Sequence, residues 1–190
     1  MSTKKIVLAI IFNSIIVSQT ISNQGMFIMS SLINNDIPDH WSPYELSIIY
    51  IPALSLKKKL SDDKLVDAEW AYHLGRHYSG DSLFNYTGNN HRLWIRYASD
   101  KIEARLGLQK IVFGPTQILR PLSWFDTFDL KDPTGRTNGV ESFRLRWFPS
   151  NNIAIWSWMV NNDVDTLSFG GRAEVTSSFG EFGFTYHEDP

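Results

Sequence analysis

Apolar and polar residues alternate one by one through most of this chain from residue 25 onward. The pattern is clearest in residues 91–112, where two alternating arms flank Ser99, Asp100 and Lys101. A period of two is typical of β-strands, whose side chains point to opposite faces in turn, and the three intervening residues suit a tight turn. The stretch therefore predicts a β-hairpin with one apolar face and one charged face.

The same alternation predicts further strands on both sides of this hairpin. They cover residues 25–33, 44–60, 65–78, 142–147, 153–160, 167–175 and 181–186. Pro52 suggests a bulge or an edge position in the second strand, and Ser79–Asn90 is rich in Gly and Asn and predicts a loop. No segment has a helical period of 3.6 residues, so the predicted fold is an all-β antiparallel meander of eight or nine strands.

The predicted connections alternate between long and short, and the longest covers residues 113–139. Outer-membrane barrels have this asymmetry because short turns lie on the periplasmic side and longer loops face outward, whereas a β-sandwich has no reason to keep it. The pattern favours an up-and-down outer-membrane barrel whose apolar face meets lipid. The residues predicted on that face are Trp70, Leu93, Ile95, Leu106, Leu145 and Phe184.

The N-terminus has the order of a secretory signal peptide. Lys4 and Lys5 precede an apolar run over residues 6–17, and the small residues Thr20 and Ser22 follow it. The run is shorter than the roughly 20 residues that a transmembrane helix needs. The predicted division is a signal peptide over residues 1–22 and a partial barrel domain over residues 23–190, exported to the outer membrane.

Composition narrows the function classes. The chain has 190 residues, 43% hydrophobic and 14% aromatic, with a net charge of −2 and no cysteine. The charge gives no general attraction to nucleic acid, and the lack of cysteine excludes disulfides and thiolate metal sites. Trp156 and Trp158 share a face of one predicted strand, and an interfacial girdle or lipid-facing position is favoured for both.

A short run also resembles a known family. The sequence RLGLQKIVFG over Arg105–Gly114, followed by Pro121, Asp129 and the pair Asp132-Pro133, is similar to the pattern of porin-like Gram-negative outer-membrane barrels. The resemblance covers about thirty residues. It implies that the Leu106 side of this strand faces lipid and the Arg105 side faces the lumen.

Charged residues on the predicted lumen face are the candidate pore lining. They are Arg92, Arg96, Glu103, Arg105, Gln109, Arg144, Arg146, Arg172 and Glu174. In a water-filled pore such a ladder attracts anions, and an equally weighted alternative is that Arg and Glu pair across strands to neutralise one another.

The long connection, residues 113–139, carries more apolar surface than a loop in water tolerates, so it is predicted to fold over or into the barrel mouth. Trp124 and Phe125 are predicted to pack on the wall. The predicted constriction residues are Arg120, Trp124, Phe125, Asp126, Asp129, Lys131 and Asp132.

A metal site and a catalytic site have less support in the sequence than the channel does. His73 and His77, considered with His91 and with Asp67 or Glu69, lie about 13 Å apart along one face of a strand, too far to share a metal at ligand distances of about 2 Å. Polar histidines of the lumen face are therefore the favoured interpretation. The aspartates at 126, 129 and 132 lack the spacing of a calcium loop, and neither Ser123 nor Ser142 has the context of a nucleophile. The sequence predicts no metal, no cofactor and no enzymatic activity.

The predicted function is a porin-like channel that passes small polar or anionic solutes, with the lipid bilayer and those solutes as partners and homo-oligomer formation left open. The alternative class is a secreted β-sandwich or jelly roll that binds carbohydrate through exposed Trp and Tyr. Nine strands is an odd number, and bacterial barrels close with an even one. We therefore expect an incomplete barrel, as in the N-terminal part of a larger protein or a truncated reading frame, with open edges near residues 25–33 and 180–187.

Overall fold

The computed structural model describes residues 20–33, 42–112, 125, 137, 139–161 and 166–188. All regular structure in these residues is β-strand. The strands are β1 (Thr20–Ile33), β2 (Tyr44–Ser61), β3 (Lys64–Ser79), β4 (Ser82–Ser99), β5 (Ile102–Gln109), β6 (Val140–Ser150), β7 (Ile153–Asn161), β8 (Leu167–Ser177) and β9 (Gly180–His187).

The strands form one antiparallel sheet in sequence order, from β1 at one edge to β9 at the other. The all-β meander and its open edges are thus confirmed: within the described ranges, β1 pairs only with β2 and β9 only with β8. A sandwich would need two packed sheets, and the residues described here make a single one.

Two strand limits differ from those that the sequence predicts. β1 begins at Thr20, so it includes the last three residues of the predicted signal peptide, whose remainder lies outside the described residues. Pro52 belongs to an interior strand, at a position where pairing between β2 and β3 is interrupted from Tyr50 to Ala53. Proline has no N–H to donate, and the interruption lies at that residue.

The predicted loop over residues 79–90 is wrong. β3 and β4 pair almost to their ends and are joined by the turn at Gly80 and Asp81, with Gly80 at a φ of +60°. Register shifts after Ala71 and His77 accommodate the Gly- and Asn-rich segment. Pairing with β3 therefore outweighs the low strand propensity of Gly and Asn, and the alternation of long and short connections fails at this position.

Because directly paired residues share a face, the register defines two faces that run across the whole sheet. The apolar face contains one unbroken transverse row from β1 to β8, in Ile21, Leu56, Ala68, Ile95, Leu106, Phe143, Met159 and Phe169. The arginine face contains the adjacent row from β2 to β7, in Lys57, Asp67, Arg96, Arg105, Arg144 and Trp158.

The apolar face is the exposed one. Five of the six residues predicted on it are exposed, from Trp70 at 49% to Phe184 at 74%, and Leu145 is half-buried. The buried residues lie mainly on the arginine face, in one cluster around Ile49, Ile51 and Ala71 and another around Ile111, Phe125, Trp158 and Val160. Nothing in the described residues covers the apolar face.

The predicted lipid-side position of Trp156 and Trp158 is wrong. Both lie on the arginine face, directly opposite Arg146 and Arg144 of β6, and Trp158 is only 3% exposed. The outward residues of β7 are Ile155, Ser157 and Met159, which alternate with the two indoles.

No helix in the described part of the chain is long and apolar enough to span a bilayer.

Candidate functional site

Four guanidinium groups meet on adjacent strands at the centre of the arginine face. Arg96 of β4 pairs with Arg105 of β5, and Arg105 pairs in turn with Arg144 of β6. Arg146 lies two residues further along β6, opposite Glu103. Like charges directly opposite one another are destabilising, so the surrounding groups must compensate for this arrangement.

Glu103 is the main source of that compensation. Its two carboxylate oxygens accept from Arg144 Nη2 at 2.7 Å and from Arg96 Nη1 at 3.4 Å, and Arg146 Nη1 lies 3.9 Å away. Asp67 of β3 binds Arg96 in a bidentate manner, with Nε donating to Oδ1 at 2.8 Å. Among these six side chains the four guanidinium groups outnumber the two carboxylates, and Glu69, opposite Trp94, is a further carboxylate on the same face.

Aromatic rings supply the rest of the contacts. Arg105 lies 4.3 Å from the ring centre of Trp94, and Arg146 lies 4.1 Å from that of Trp156. Arg144 also approaches Trp156, at 5.5 Å. An indole face attracts a cation without neutralising it, so these contacts hold the guanidinium groups in place while their charge remains available.

Gly107 makes room for this stacking. It lies opposite Trp94 with a φ of +115°, a region of backbone conformation that L-residues rarely adopt. A Cβ there would come within 2.2 Å of the Leu93 carbonyl oxygen. Glycine therefore allows β4 and β5 to approach closely at the position where the Arg105 guanidinium stacks on the Trp94 ring.

The predicted pore-lining residues are not equivalent. Arg96, Glu103, Arg105, Arg144 and Arg146 form the group just described, which we call the arginine cluster. Other members of the predicted set lie around it, and Gln109 is fully buried, donating through Nε2 to the carbonyl oxygens of Arg105 and Ser142. Gln109 therefore fixes the backbones of β5 and β6 and presents no surface to a solute.

Arg92, Arg172 and Glu174 flank the cluster on either side. Arg92 Nη2 donates to the carbonyl oxygen of Thr137 at 3.0 Å, which ties β4 to the long connection. Arg172 donates through Nε to Glu174 at 2.5 Å and through Nη1 to Thr185 Oγ1 at 2.8 Å. These two arginines bind neighbouring strands and segments, and neither is among the residues that share Glu103.

Of the predicted constriction residues, only Phe125 is described. It is buried against the arginine face, where its ring contacts Trp158 at 5.9 Å and His187 at 4.8 Å, both edge-on. Part of the long connection therefore packs onto β7 and β9. The predictions for Arg120, Trp124, Asp126, Asp129, Lys131 and Asp132 fall outside the described residues.

Sequence reasoning placed the arginines on one face but missed the residues that organise them. Asp67, Trp94 and Trp156 between them contact all four guanidinium groups, yet only their alternation with apolar neighbours marks them in the sequence. Asp67 could have been found by aligning β3 with the charged arm of β4. In the described residues no three His, Cys, Asp or Glu side chains are grouped to hold a metal ion.

Comparison with known proteins identifies no relative: no family model, no curated protein and no solved structure matches this chain. The likeness of Arg105–Gly114 to porin-like barrels therefore remains a resemblance of motif. What the chain does must be argued from the arrangement of its two faces.

Proposed function

We propose that this chain forms part of the wall of an outer-membrane β-barrel and that its arginine face borders a water-filled path for small anionic solutes. The observation that supports the proposal is the opposition of the two transverse rows. Arg96, Arg105 and Arg144 lie beside Ile95, Leu106 and Phe143 along the same strands, with the side chains of the two sets on opposite faces.

The exposed apolar face favours a membrane setting. Leu106 is 56% exposed and Ile95 is 52% exposed, as members of a row that extends over eight strands. Water would impose about 25 cal/mol for each Å² of such surface, whereas the hydrocarbon of a bilayer imposes no such cost. Transmembrane barrels have the same division, with apolar side chains toward lipid and polar ones toward the lumen.

Strand length is compatible with this setting. A transmembrane strand needs about 9–11 residues when tilted, and β6, β7 and β8 have 11, 9 and 11. β2, β3 and β4 have 18, 16 and 18 residues and extend further on the side of the turn at Gly80. We place that side outside the cell, because the long connection between β5 and β6 leaves from the same side.

The arginine cluster supports anions over cations as the transported class. The carboxylates of Asp67 and Glu103 are engaged by Arg96 and Arg144, while Arg105 contacts an indole and forms no ion pair with any described residue. A fixed positive excess beside water concentrates anions and repels cations. The carbohydrate-binding alternative gains no support from a single sheet most of whose exposed aromatic residues belong to the apolar face.

The test has two stages. The purified protein should require detergent, float with phospholipid vesicles and migrate differently on gels before and after heating. In planar bilayers under a KCl gradient, the reversal potential should show anion preference, and the pair Arg105→Gln with Arg146→Gln should reduce that preference. Removing two charges at turns, by Lys64→Gln with Lys101→Gln, is the matched control and should change it less.

Two results would contradict the proposal. Solubility as a monomer without detergent would exclude the bilayer setting. A folded, membrane-inserted protein whose reversal potential did not change in the arginine variant would exclude the arginine face as the solute path.

A further inference from the structure

A cavity of about 400 Å³ lies on the arginine face, over the strands from β1 to β4. Lys110, just after β5, and Thr137, in the long connection, also line it. Its volume is in the range of about 300–1,000 Å³ that is usual for sites that bind small molecules. No residue of the arginine cluster lines this cavity, so it is a separate feature of the face.

The floor of the cavity is apolar. Ala53 of β2 is paired with Ala71 of β3, and both residues line the cavity together with Ile51. Ile51 and Ala71 are buried, at 3% and 2% exposure. Because alanine side chains are short, the space above these two paired positions stays open. The floor can therefore accept an apolar group of a ligand.

Two polar groups of the lining have no partner in the described part of the chain. Thr137 is 1% exposed, and its Oγ1 makes no hydrogen bond there. Glu69 is half-buried, and its carboxylate forms no hydrogen bond or ion pair with a described residue. Its printed electrostatic neighbour is Arg105 of the arginine cluster. An ionised carboxylate only accepts hydrogen bonds, so Glu69 suits a ligand group that donates them.

Positive charge lines the same cavity, on Arg92 and Lys110. Glu69 is paired with Trp94, so Arg92, two residues away on β4, is its diagonal neighbour at a backbone distance of about 7–8 Å. The two side chains do not pair, and Arg92 Nη2 instead donates to the carbonyl oxygen of Thr137. The cavity therefore presents an acidic group and basic groups at separate positions.

We propose that this cavity binds a small apolar α-amino acid as its zwitterion. The ammonium group donates to Glu69, and the carboxylate lies toward Arg92 and Lys110 and accepts from the Thr137 hydroxyl. The side chain of the ligand packs on the apolar floor. Hydrogen bonds with charged partners are stronger than neutral ones, so the two charged ends of the ligand fix its orientation. This inference is independent of the proposed transport function, because equilibrium binding requires only the folded chain.

Binding of L-leucine by the folded, detergent-solubilised full chain tests the inference, with isothermal titration calorimetry as the measurement. Two analogues each lack one charged end: isoamylamine has no carboxylate, and 4-methylpentanoate has no ammonium group. L-Leucine should bind about 10-fold or more tightly than either analogue, because each analogue loses one charge-assisted contact.

Substitutions at the two ends of the cavity should separate the two contacts. Glu69→Gln should weaken L-leucine binding about 10-fold without weakening the binding of 4-methylpentanoate. Lys110→Gln should weaken the binding of L-leucine and of 4-methylpentanoate without weakening that of isoamylamine. Glu174→Gln is the matched control, because it removes a half-buried carboxylate of the same face that does not line the cavity, and it should leave all three affinities unchanged.

Three results would overturn the inference. The first is equal affinity of L-leucine for the wild type and for Glu69→Gln. The second is equal affinity of the wild type for L-leucine and for 4-methylpentanoate. The third is the absence of L-leucine binding by the wild type when circular dichroism shows that its β-structure is intact.

Discussion

The two faces of this sheet differ more than any two regions along the chain. On the apolar face, side chains such as Leu106 and Phe184 project singly and are exposed. On the arginine face, Arg144 is only 7% exposed, and its guanidinium is in contact with Glu103 and Trp156. Uncovered hydrocarbon and tightly packed charge on one set of strands invert the usual arrangement of a water-soluble protein. Under the proposed function, the arginine face is the side that meets water.

The largest expected effect comes from placing a charge on the wrong face. Leu106→Arg should destabilise the bilayer-inserted protein by about 2–4 kcal/mol, because the guanidinium would enter hydrocarbon. Ser55→Arg places the same side chain on the arginine face opposite Glu69 and should be tolerated. Urea titration of the vesicle-inserted protein measures both. Equal destabilisation would remove the distinction between the faces.

Removing the shared carboxylate should have the next largest effect. Glu103→Gln leaves three arginines without their common partner, and we expect a loss of about 2 kcal/mol in the free energy of unfolding, with stronger anion preference. Glu174→Gln breaks a single ion pair, with Arg172, that is more exposed to solvent, and it should cost about 0.5 kcal/mol. Similar losses in the two variants would show that the arginine cluster is not organised around Glu103.

Indoles on opposite faces sharpen the comparison. Trp156→Leu removes the ring beneath Arg144 and Arg146 and should cost about 1–2 kcal/mol. Trp70→Leu on the apolar face loses contacts with Tyr72 and Asn90 and should cost less. The same urea titration distinguishes them, and a larger loss for Trp70→Leu would reverse the assignment of packing to the arginine face.

The smallest effect is expected at the turns, where both faces meet water. The pKa of Asp63 lies below its ordinary value of 3.8, chiefly because the Ser61 hydroxyl donates to its carboxylate at 2.6 Å. Because the folded-state pKa is lowered, the ionised carboxylate stabilises the turn above pH 3.8. This stabilisation is lost as the pH falls through the folded-state pKa. In that pH range the amides of residues 61–64 should lose protection against hydrogen exchange relative to the unfolded chain, and Ser61→Ala should weaken this pH dependence. An unchanged profile in Ser61→Ala would exclude the hydroxyl as its cause.

Alternation alone was enough to predict most of the fold. The hairpin of residues 91–112, its turn and the sharing of one face by the arginines all follow from the period of two in that stretch. It could not orient β7, because Ile153, Ile155, Trp156, Trp158 and Val160 place apolar residues on both of its faces. Only pairing with Arg144 and Arg146 decides which side is which.

Tertiary pairing and side-chain geometry account for the other differences. Gly88, Asn89 and Asn90 have low strand propensity, yet all three belong to β4 because they pair with residues of β3. The rings of His73 and His77 both come close to Gly75, an orientation that a spacing along a strand does not reveal. The sequence therefore predicts the faces better than it predicts the contacts within a face.

The described residues form nine strands, and this odd number has a directional consequence. In an antiparallel meander each strand reverses the one before it, so β1 and β9 run the same way along the two open edges. If these edges were brought together they would pair in parallel, with slanted hydrogen bonds and a slightly weaker ladder. A seam that is antiparallel to both edges instead requires an odd number of additional strands, whether from the same polypeptide or from another.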